Sequence, residues 1–426
     1  MSIYGAMYAG VSGLRAQSSA LGMIADNIAN VNTVGYKSSK ASFSTLVTES
    51  AFNTQYTSGG VRASQSPGVD KQGLLQASTA NTDLAVAGNG FFVVHENASS
   101  IDDGTFLYTR AGSFRKDASG NLVNSAGYYL KGWELDQNGD PIGNTSVLSS
   151  LETINIANLS GSASATSSVE LNLNLPSTDA TATTHEVSVQ VYDALGNAHD
   201  LTIEWSKTAE NAWSYTVQDP TLAEDGVVSG SITAGATGSI TFDGTGTPIG
   251  PDADADGIID TTDIVVDWTT GGANDSTISL NLGSIGEADG VTQFAGDYAI
   301  TLIEQNGVQF GQFTEVSIGE EGIVTAIFNN GERRDIYKLP LALFDNVNGL
   351  EARDGNAYQM TDRSGDLILV GAATGGAGRM VSGTLESSTV DLAEEFANMI
   401  VTQRAYQASA KVITTADEML DELLRI

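Results

Sequence analysis

A mostly β fold of the α+β class, with helix confined to the two ends of the chain, is predicted by three observations. A heptad repeat without proline opens the sequence, and a second closes it. The long stretch between them alternates polar and apolar residues in short runs broken by Gly and Asn. At 426 residues the chain exceeds what one hydrophobic core supports, so two to four compact units are expected.

The first helix is expected over about 3–30. Met7, Leu14, Leu21 and Ile28 recur every seven residues, and Val11, Ser18 and Ala25 follow at plus four. That spacing is an a/d-type seam. The Asn-rich stretch ending at Gly35 supplies the stop. The last helix is expected over about 390–424, with Leu392, Met399, Tyr406, Ile413 and Leu420 at one heptad position and Phe396, Gln403, Ala410, Asp417 and Leu424 at plus four. Ser388 and Thr389 are candidate caps, and Asp391, Glu394 and Glu395 lie in the first turns, where the helix dipole favours acids.

The helices carry opposite charge. Residues 1–40 hold Arg15, Lys37 and Lys40 against Asp26, while 386–426 hold eight acids against Arg404, Lys411 and Arg425. The two are therefore expected to pair in a terminal coiled-coil domain, 1–37 with 384–426. Its candidate assembly interface is Met7, Val11, Leu14, Leu21 and Ile28 with Leu392, Phe396, Met399, Tyr406, Ile413 and Leu420. Two unrelated amphipathic helices packed on a β core would also fit the spacing.

Between the helices, 38–72 is Ser, Thr and Gly rich with little periodicity and reads as an extended connector. From 73 the runs LAVAGNGFFVV (84–94) and FLYTRAGSFRKDASGNLVNSAGYYLKGW (106–133) read as short strands with Asn-Gly and Ser-Gly hairpin turns. The same style returns after 293, so 73–146 and 293–383 are expected to form one middle β domain. The insert 147–292 differs in composition: residues 151–290 hold 21 Asp and Glu against Lys207 alone. Its alternating runs, such as HEVSVQVYDALGNAHDLTIEW (185–205), predict an outer sandwich or barrel-like β domain with a solvated surface.

Composition narrows the function. The chain carries 52 acids against 19 Lys and Arg, a formal charge of −33, which repels phosphate backbones and anionic lipid; no nucleic-acid partner is expected. There is no cysteine, which removes disulfides, thiolate metal sites and Cys nucleophiles. No apolar run reaches the roughly 18 residues of a membrane span, so membrane insertion is not expected, and the N-terminus lacks a cleaved-signal pattern.

The chemistry-bearing residues are few. His95, His185 and His199 are too scattered to define a metal site or triad, and the strings GNG (88–90) and GGAG (375–378) lack the Lys-Ser/Thr of a phosphate loop. The run DADADGIIDTTD (252–263) is different. Asp252, Asp254, Asp256, Asp260 and Asp263, with Gly257 at the sixth position, match the spacing of a calcium loop, although the last place holds Asp rather than a bidentate Glu. A Ca²⁺ site in the outer domain and a solvated acidic loop are both compatible with it. No cofactor is required, and no enzyme activity is expected.

Longer strings carry a resemblance. SGLRAQSSALGMIADNIANVNTVGYK (12–37), GTLESSTVDLAEEFANMIVTQRAYQASAKVITTADEMLDELL (383–424), NTDLAVAGNGFFVV and YTRAGSFRKDASGNLV resemble the flagellar rod and hook family of axial proteins. The insert matches mainly through VYDALGNAHDLTIEW. Rod members are shorter and lack so large a second β domain, so the resemblance favours the hook branch. It implies a self-assembling subunit of a curved, flexible tube that transmits torque as a universal joint. It further implies export without a cleaved signal by the flagellar type III export apparatus, to an extracellular place in the flagellum. The partners implied are further copies of itself in a helical homopolymer, a distal rod protein, a hook cap protein and a hook–filament junction protein. A distal rod subunit is the nearest rival; a secreted calcium-dependent β-rich adhesin or surface-layer protein is the rival from another class.

Overall fold

The computed structural model describes residues 3–46, 59–98, 104–136, 138–157, 159, 161–252, 256–269 and 271–424. Among them the fold is mostly β, with long helix only at the ends: α1 (Ile3–Ala29) and α2 (Leu392–Leu424). The cap of α2 is Asp391 rather than Ser388 or Thr389. Its Oδ1 accepts from the backbone N of Ala393 at 2.8 Å and of Glu394 at 3.2 Å, satisfying donors that the first turn leaves unpaired. Thr389 instead receives the Ser38 amide on its hydroxyl at 2.9 Å.

The stretch read as a connector forms a hairpin, β1 (Ser39–Thr45) paired antiparallel with β2 (Val61–Pro67). It has few apolar residues to announce itself, because polar side chains on α1 hold its backbone. Asn27 Nδ2 donates to Ser39 O at 2.8 Å, Ser39 N donates to Asn27 Oδ1 at 3.1 Å, and Val61 N donates to Ser12 Oγ at 3.2 Å.

The chain divides into two compact units, the first comprising 1–158, 316–326 and 334–426. Its β core pairs segments from both sides of the second unit. Leu341 and Ala342 lie opposite Phe92 and Phe91, Met380 lies opposite Val86, and Leu75–Ala77 pairs with Thr384–Glu386. Phe91 sits edge-on to Phe344 and Tyr358, with centroids 6.2 and 5.8 Å apart. Ser119-Gly120 closes a true hairpin between Phe114–Lys116 and Leu122–Asn124. Asn89-Gly90 does not. Leu84–Ala87 pairs with Arg379–Ser382 while Phe91–His95 pairs with Phe106–Thr109, so the turn carries the chain between sheets. Gly90, at φ 122°, has Leu341 Cβ 3.1 Å from where its own Cβ would stand.

The second unit comprises 159–315 and 327–333. Two six-stranded sheets, one containing Ser168–Asn174 and Ile264–Trp268, the other Thr184–Tyr192 and Ala198–Ala209, enclose a single core. Alternation along Ala198–Ala209 sends Leu201, Ile203 and Trp205 inward and leaves their neighbours half-buried. Trp205 and Trp213 are fully buried, and Trp213 Nε1 donates to Gln293 Oε1 at 2.9 Å. Asn306-Gly307 is not a hairpin either: Ala299–Gln305 pairs with Ser168–Asn174, and Val308–Gly311 with Ser162–Ser164.

Candidate assembly surface

Helices α1 and α2 run antiparallel. Asn27 near the end of α1 meets Glu395 near the start of α2, and Gly10 and Gly13 lie against Ser409 and Ile413. The contact depends on small residues. A Cβ on Gly10 would stand 2.8 Å from Ile413 Cγ1, and one on Gly13 2.9 Å from Ser409 Oγ. The buried positions of α1 are Gly10, Gly13, Ala16, Ala20, Ile24 and Asn27; those of α2 among the described residues are Glu395, Thr402 and Ala416.

This face is offset from the heptads read in the sequence. Met7, Leu14, Leu21 and Ile28 are half-buried on its flank, and Val11 is exposed. On α2, Met399, Ile413 and Leu420 are half-buried, whereas Leu392, Phe396 and Tyr406 are 40%, 50% and 40% exposed. The heptad at 392–420 therefore splits: one part reaches toward α1, and the other leaves large apolar groups in solvent within a single chain. Adjacent exposed groups of this size mark a contact surface.

Two polar nodes hold the helices in place. At the first, Asn27 is buried and uses both ends of its amide: Nδ2 donates to Glu395 Oε1 at 2.9 Å and to Ser39 O, while Oδ1 accepts from Ser39 N and, at 3.1 Å, from Tyr36 Oη. Burial pushes the Glu395 carboxyl above its ordinary range, with Asn27 acting against the rise.

The second node is an ion cluster that spacing alone did not reveal. Glu386 is fully buried, and Lys37 Nζ donates to its Oε1 at 2.5 Å while Arg110 Nη1 approaches Oε2 at 3.3 Å. Gly73 N adds a bond to Oε1 at 2.7 Å, and Lys37 also reaches Lys71 O. The Arg110 guanidinium donates to Gly88 O at 2.7 Å and lies 5.1 Å from the Phe91 ring centroid. Burial lowers the proton affinity of both Lys37 and Arg110, and Glu386 restores part of it. Lys37 follows α1 and Glu386 precedes α2, so one carboxylate ties the roots of both helices to the strand that leads into Arg110.

The calcium-loop residues do not converge among the described residues, where no group of three or more His, Cys, Asp or Glu side chains is placed to hold a metal. Asp254 lies outside the described residues. Asp256 Oδ1 accepts from Ile258 N at 2.8 Å, Asp260 N donates to Pro251 O at 2.8 Å, and Asp263 is exposed. Asp252 Oδ1 is buried and has no hydrogen-bond partner among the described residues.

The histidines are packed into the fold. His199 contacts Ser229 Oγ through Nδ1 at 2.7 Å and Asp193 Oδ2 through Nε2 at 3.3 Å, with its ring 4.1 Å from Trp268. These are the residue types of a nucleophilic triad, yet all three are buried, and Ser229 Oγ donates to Pro220 O at 3.1 Å. A substrate has no access to such a hydroxyl, so the trio pins strands together.

Four family models match the chain: a flagella basal body rod protein model at 7–37, a flagellar hook protein FlgE/F/G D1 domain at 85–190, a flagellar basal body protein FlaE D2 domain at 158–308, and a flagellar basal body rod FlgEFG protein C-terminal model at 381–426. Among curated proteins, the flagellar hook protein FlgE of Brucella suis biovar 1 is 36% identical over 434 residues, covering 100% of both chains. That of Caulobacter vibrioides is 31% identical with 100% of both covered, and that of Salmonella typhimurium 30% identical with 98% of both covered. The crystal structure of Helicobacter pylori flagellar hook protein FlgE2 superposes with a TM-score of 0.52 at 15% identity, covering 73% of this chain and 100% of that one, a likeness of fold. The ion cluster draws one residue from each of three matched segments: Lys37, Arg110 and Glu386.

Proposed function

The chain belongs to the flagellar hook protein family and is a structural subunit that polymerises with copies of itself into the hook; from that premise we propose how its parts divide the work. The terminal helices form the inner layer of a curved, flexible tube, the β core of the first unit the middle layer, and the acidic second unit, 159–315 with 327–333 rather than the 147–292 read from composition, the outer layer. The tube passes torque from the rod to the filament and bends as a universal joint. Subunits on the inside of the bend approach while those outside separate, so outer contacts slide. The observation that carries this reading is the exposure of Leu392, Phe396 and Tyr406, at 40%, 50% and 40%, on a helix whose other face is already covered by α1. Such a helix completes its burial against further copies.

Its partners at the ends of the tube are a distal rod protein, a hook cap protein and a hook–filament junction protein. It reaches the outside through the flagellar type III export apparatus without losing a signal peptide. Electron microscopy of cells lacking the gene tests the assignment: basal bodies with rods but no hook are expected, restored by the full chain in trans and not by a chain lacking 1–30. Motile cells without the gene, or rescue by the truncated chain, would sink it.

For the loop at 252–263 a calcium role is proposed on one observation, the buried Asp252 Oδ1 that has no partner among the described residues. Calorimetric titration with Ca²⁺ should show binding that Asp252→Asn removes. Identical traces for the two proteins would leave a solvated acidic loop.

A further inference from the structure

Each terminal helix carries a second row of side chains beside the positions that pack α1 on α2, sharing only Val11 and Ser18 with the heptads that the sequence advertises. On α1 it is Tyr4, Tyr8, Val11, Arg15, Ser18 and Gly22, spaced four, three, four, three and four. Its large apolar members are 73%, 59% and 39% exposed. On α2 it is Val401, Ala405, Ala408, Val412, Thr415 and Met419, with the same spacing. Here Val401, Val412 and Met419 are 66%, 46% and 48% exposed. A repeat of four and three is the pattern that keeps one helix face against a neighbour over many turns.

Within one chain the two rows also lie at the same heights. Because Asn27 meets Glu395 and Gly13 meets Ser409, equal rise along antiparallel helices sets Val11 level with Val412 and Tyr4 level with Met419. The α1 row also borders a groove of about 250 Å³ between α1 and the β1–β2 hairpin, lined by Tyr8, Val11, Ser12, Arg15, Val61 and Arg62. The α2 row has no such groove described beside it and presents the projecting Val412 and Met419.

We infer that the α1 row of one copy docks on the α2 row of the next copy, with Val412 or Met419 entering the groove beside α1. The inference rests on the reading of this chain as a self-polymerising subunit. Charge opposes one of the alternatives, α2 on α2. Described residues of α1 carry Arg15 against Asp26, whereas α2 carries six acids against Arg404 and Lys411. Row on like row would set α2 against α2, both net negative, and would close a two-fold dimer. Row on unlike row is heterologous and propagates.

The chain has no cysteine, so introduced thiols report alone. Subunits with Tyr8→Cys or Val11→Cys are mixed with subunits bearing Val412→Cys or Met419→Cys, polymerised, oxidised and separated without reductant, with electron microscopy of the same samples. Mixed polymers should give disulfide-linked dimers at least tenfold above either partner alone. Intact polymers without mixed dimers overturn the inference, as do dimers from Val412→Cys alone or from Val412→Cys mixed with Phe396→Cys in preference. As a second measurement, Val401→Glu should keep the helical circular dichroism of the monomer and lose the polymer; a polymer that persists also overturns it. Wild-type chain that never polymerises would instead defeat the hook reading itself, which keeps the two failures apart.

Discussion

The sandwich at 159–315 and the terminal helices treat apolar surface in opposite ways. In the sandwich, period-two alternation closes two sheets over Trp205, Trp213 and their neighbours, and the single chain is enough to bury them. In the helices, burial inside the chain falls on small or polar residues, Ala16, Ala20, Asn27 and Thr402, with Ile24 the large apolar exception among the described residues, while Tyr8, Phe396 and Val401 stay 59%, 50% and 66% exposed. One region buries its apolar surface within the monomer, and the other leaves it open to the neighbours proposed above. A family that polymerises needs both kinds, because a subunit must fold before it has anything to assemble with.

The largest expected effects separate folding from assembly. Glu386→Ala leaves Lys37 and Arg110 buried without their carboxylate and should cost about 3–5 kcal/mol in the stability of the first unit. Urea denaturation checks it, and a loss under 1 kcal/mol would mean that the cluster is dispensable for folding. Trp205→Ala empties a fully buried site in the sandwich and should cost about 3–5 kcal/mol there. If the comparison holds, Trp205→Ala lowers the sandwich transition while α1 and α2 keep their helical signal.

Phe396→Asp probes the other side. At 50% exposure the ring adds little to the monomer, so its stability should change by no more than about 0.5 kcal/mol, while polymer yield falls sharply. A monomer destabilised by several kcal/mol would show that Phe396 serves intramolecular packing. Gly13→Leu should act between these extremes, since its side chain would meet Ser409 within 2.9 Å and must push α2 aside. Reduced helix pairing by circular dichroism is the expected readout.

The legibility of the sequence follows the same division. Helices at both ends and strands such as Thr184–Tyr192 could be read because their periodicity lies in large apolar residues. The α1–α2 contact was hidden because its residues are Gly10, Gly13, Ala16 and Ala20, which a hydrophobicity pattern passes over in favour of Met7 and Leu14. Two glycines inside a helix, each costing about 1 kcal/mol against Ala, were the available signal of a close approach. The β1–β2 hairpin escaped because Ser12 and Asn27 hold its backbone from another element. Lys37, Arg110 and Glu386 escaped because 276 and 349 residues separate the cations from their carboxylate, and no local spacing brings them together. Asn89-Gly90 and Asn306-Gly307 carry a hairpin signature, yet the strands beside them pair elsewhere, so pairing was decided by tertiary contacts.

The smallest effect sharpens the comparison at the join between the helices. Burial raises the folded-state pKa of Glu395 above its ordinary value, so the folded chain holds this proton more tightly than the unfolded chain does. Between the unfolded and folded pKa values, stability therefore falls as pH rises, and it is fully present only below the unfolded value near 4.5. Glu395→Gln keeps a hydrogen-bonding partner for Asn27 and removes the titration. The variant should match wild type at low pH and exceed it near neutrality. Urea denaturation of both proteins across pH 4 to 8, followed by helical circular dichroism, checks it. Parallel curves would mean that Glu395 stays charged in the fold and that Lys40, whose Nζ lies 2.6 Å from Glu394, supplies the compensating field from the surface.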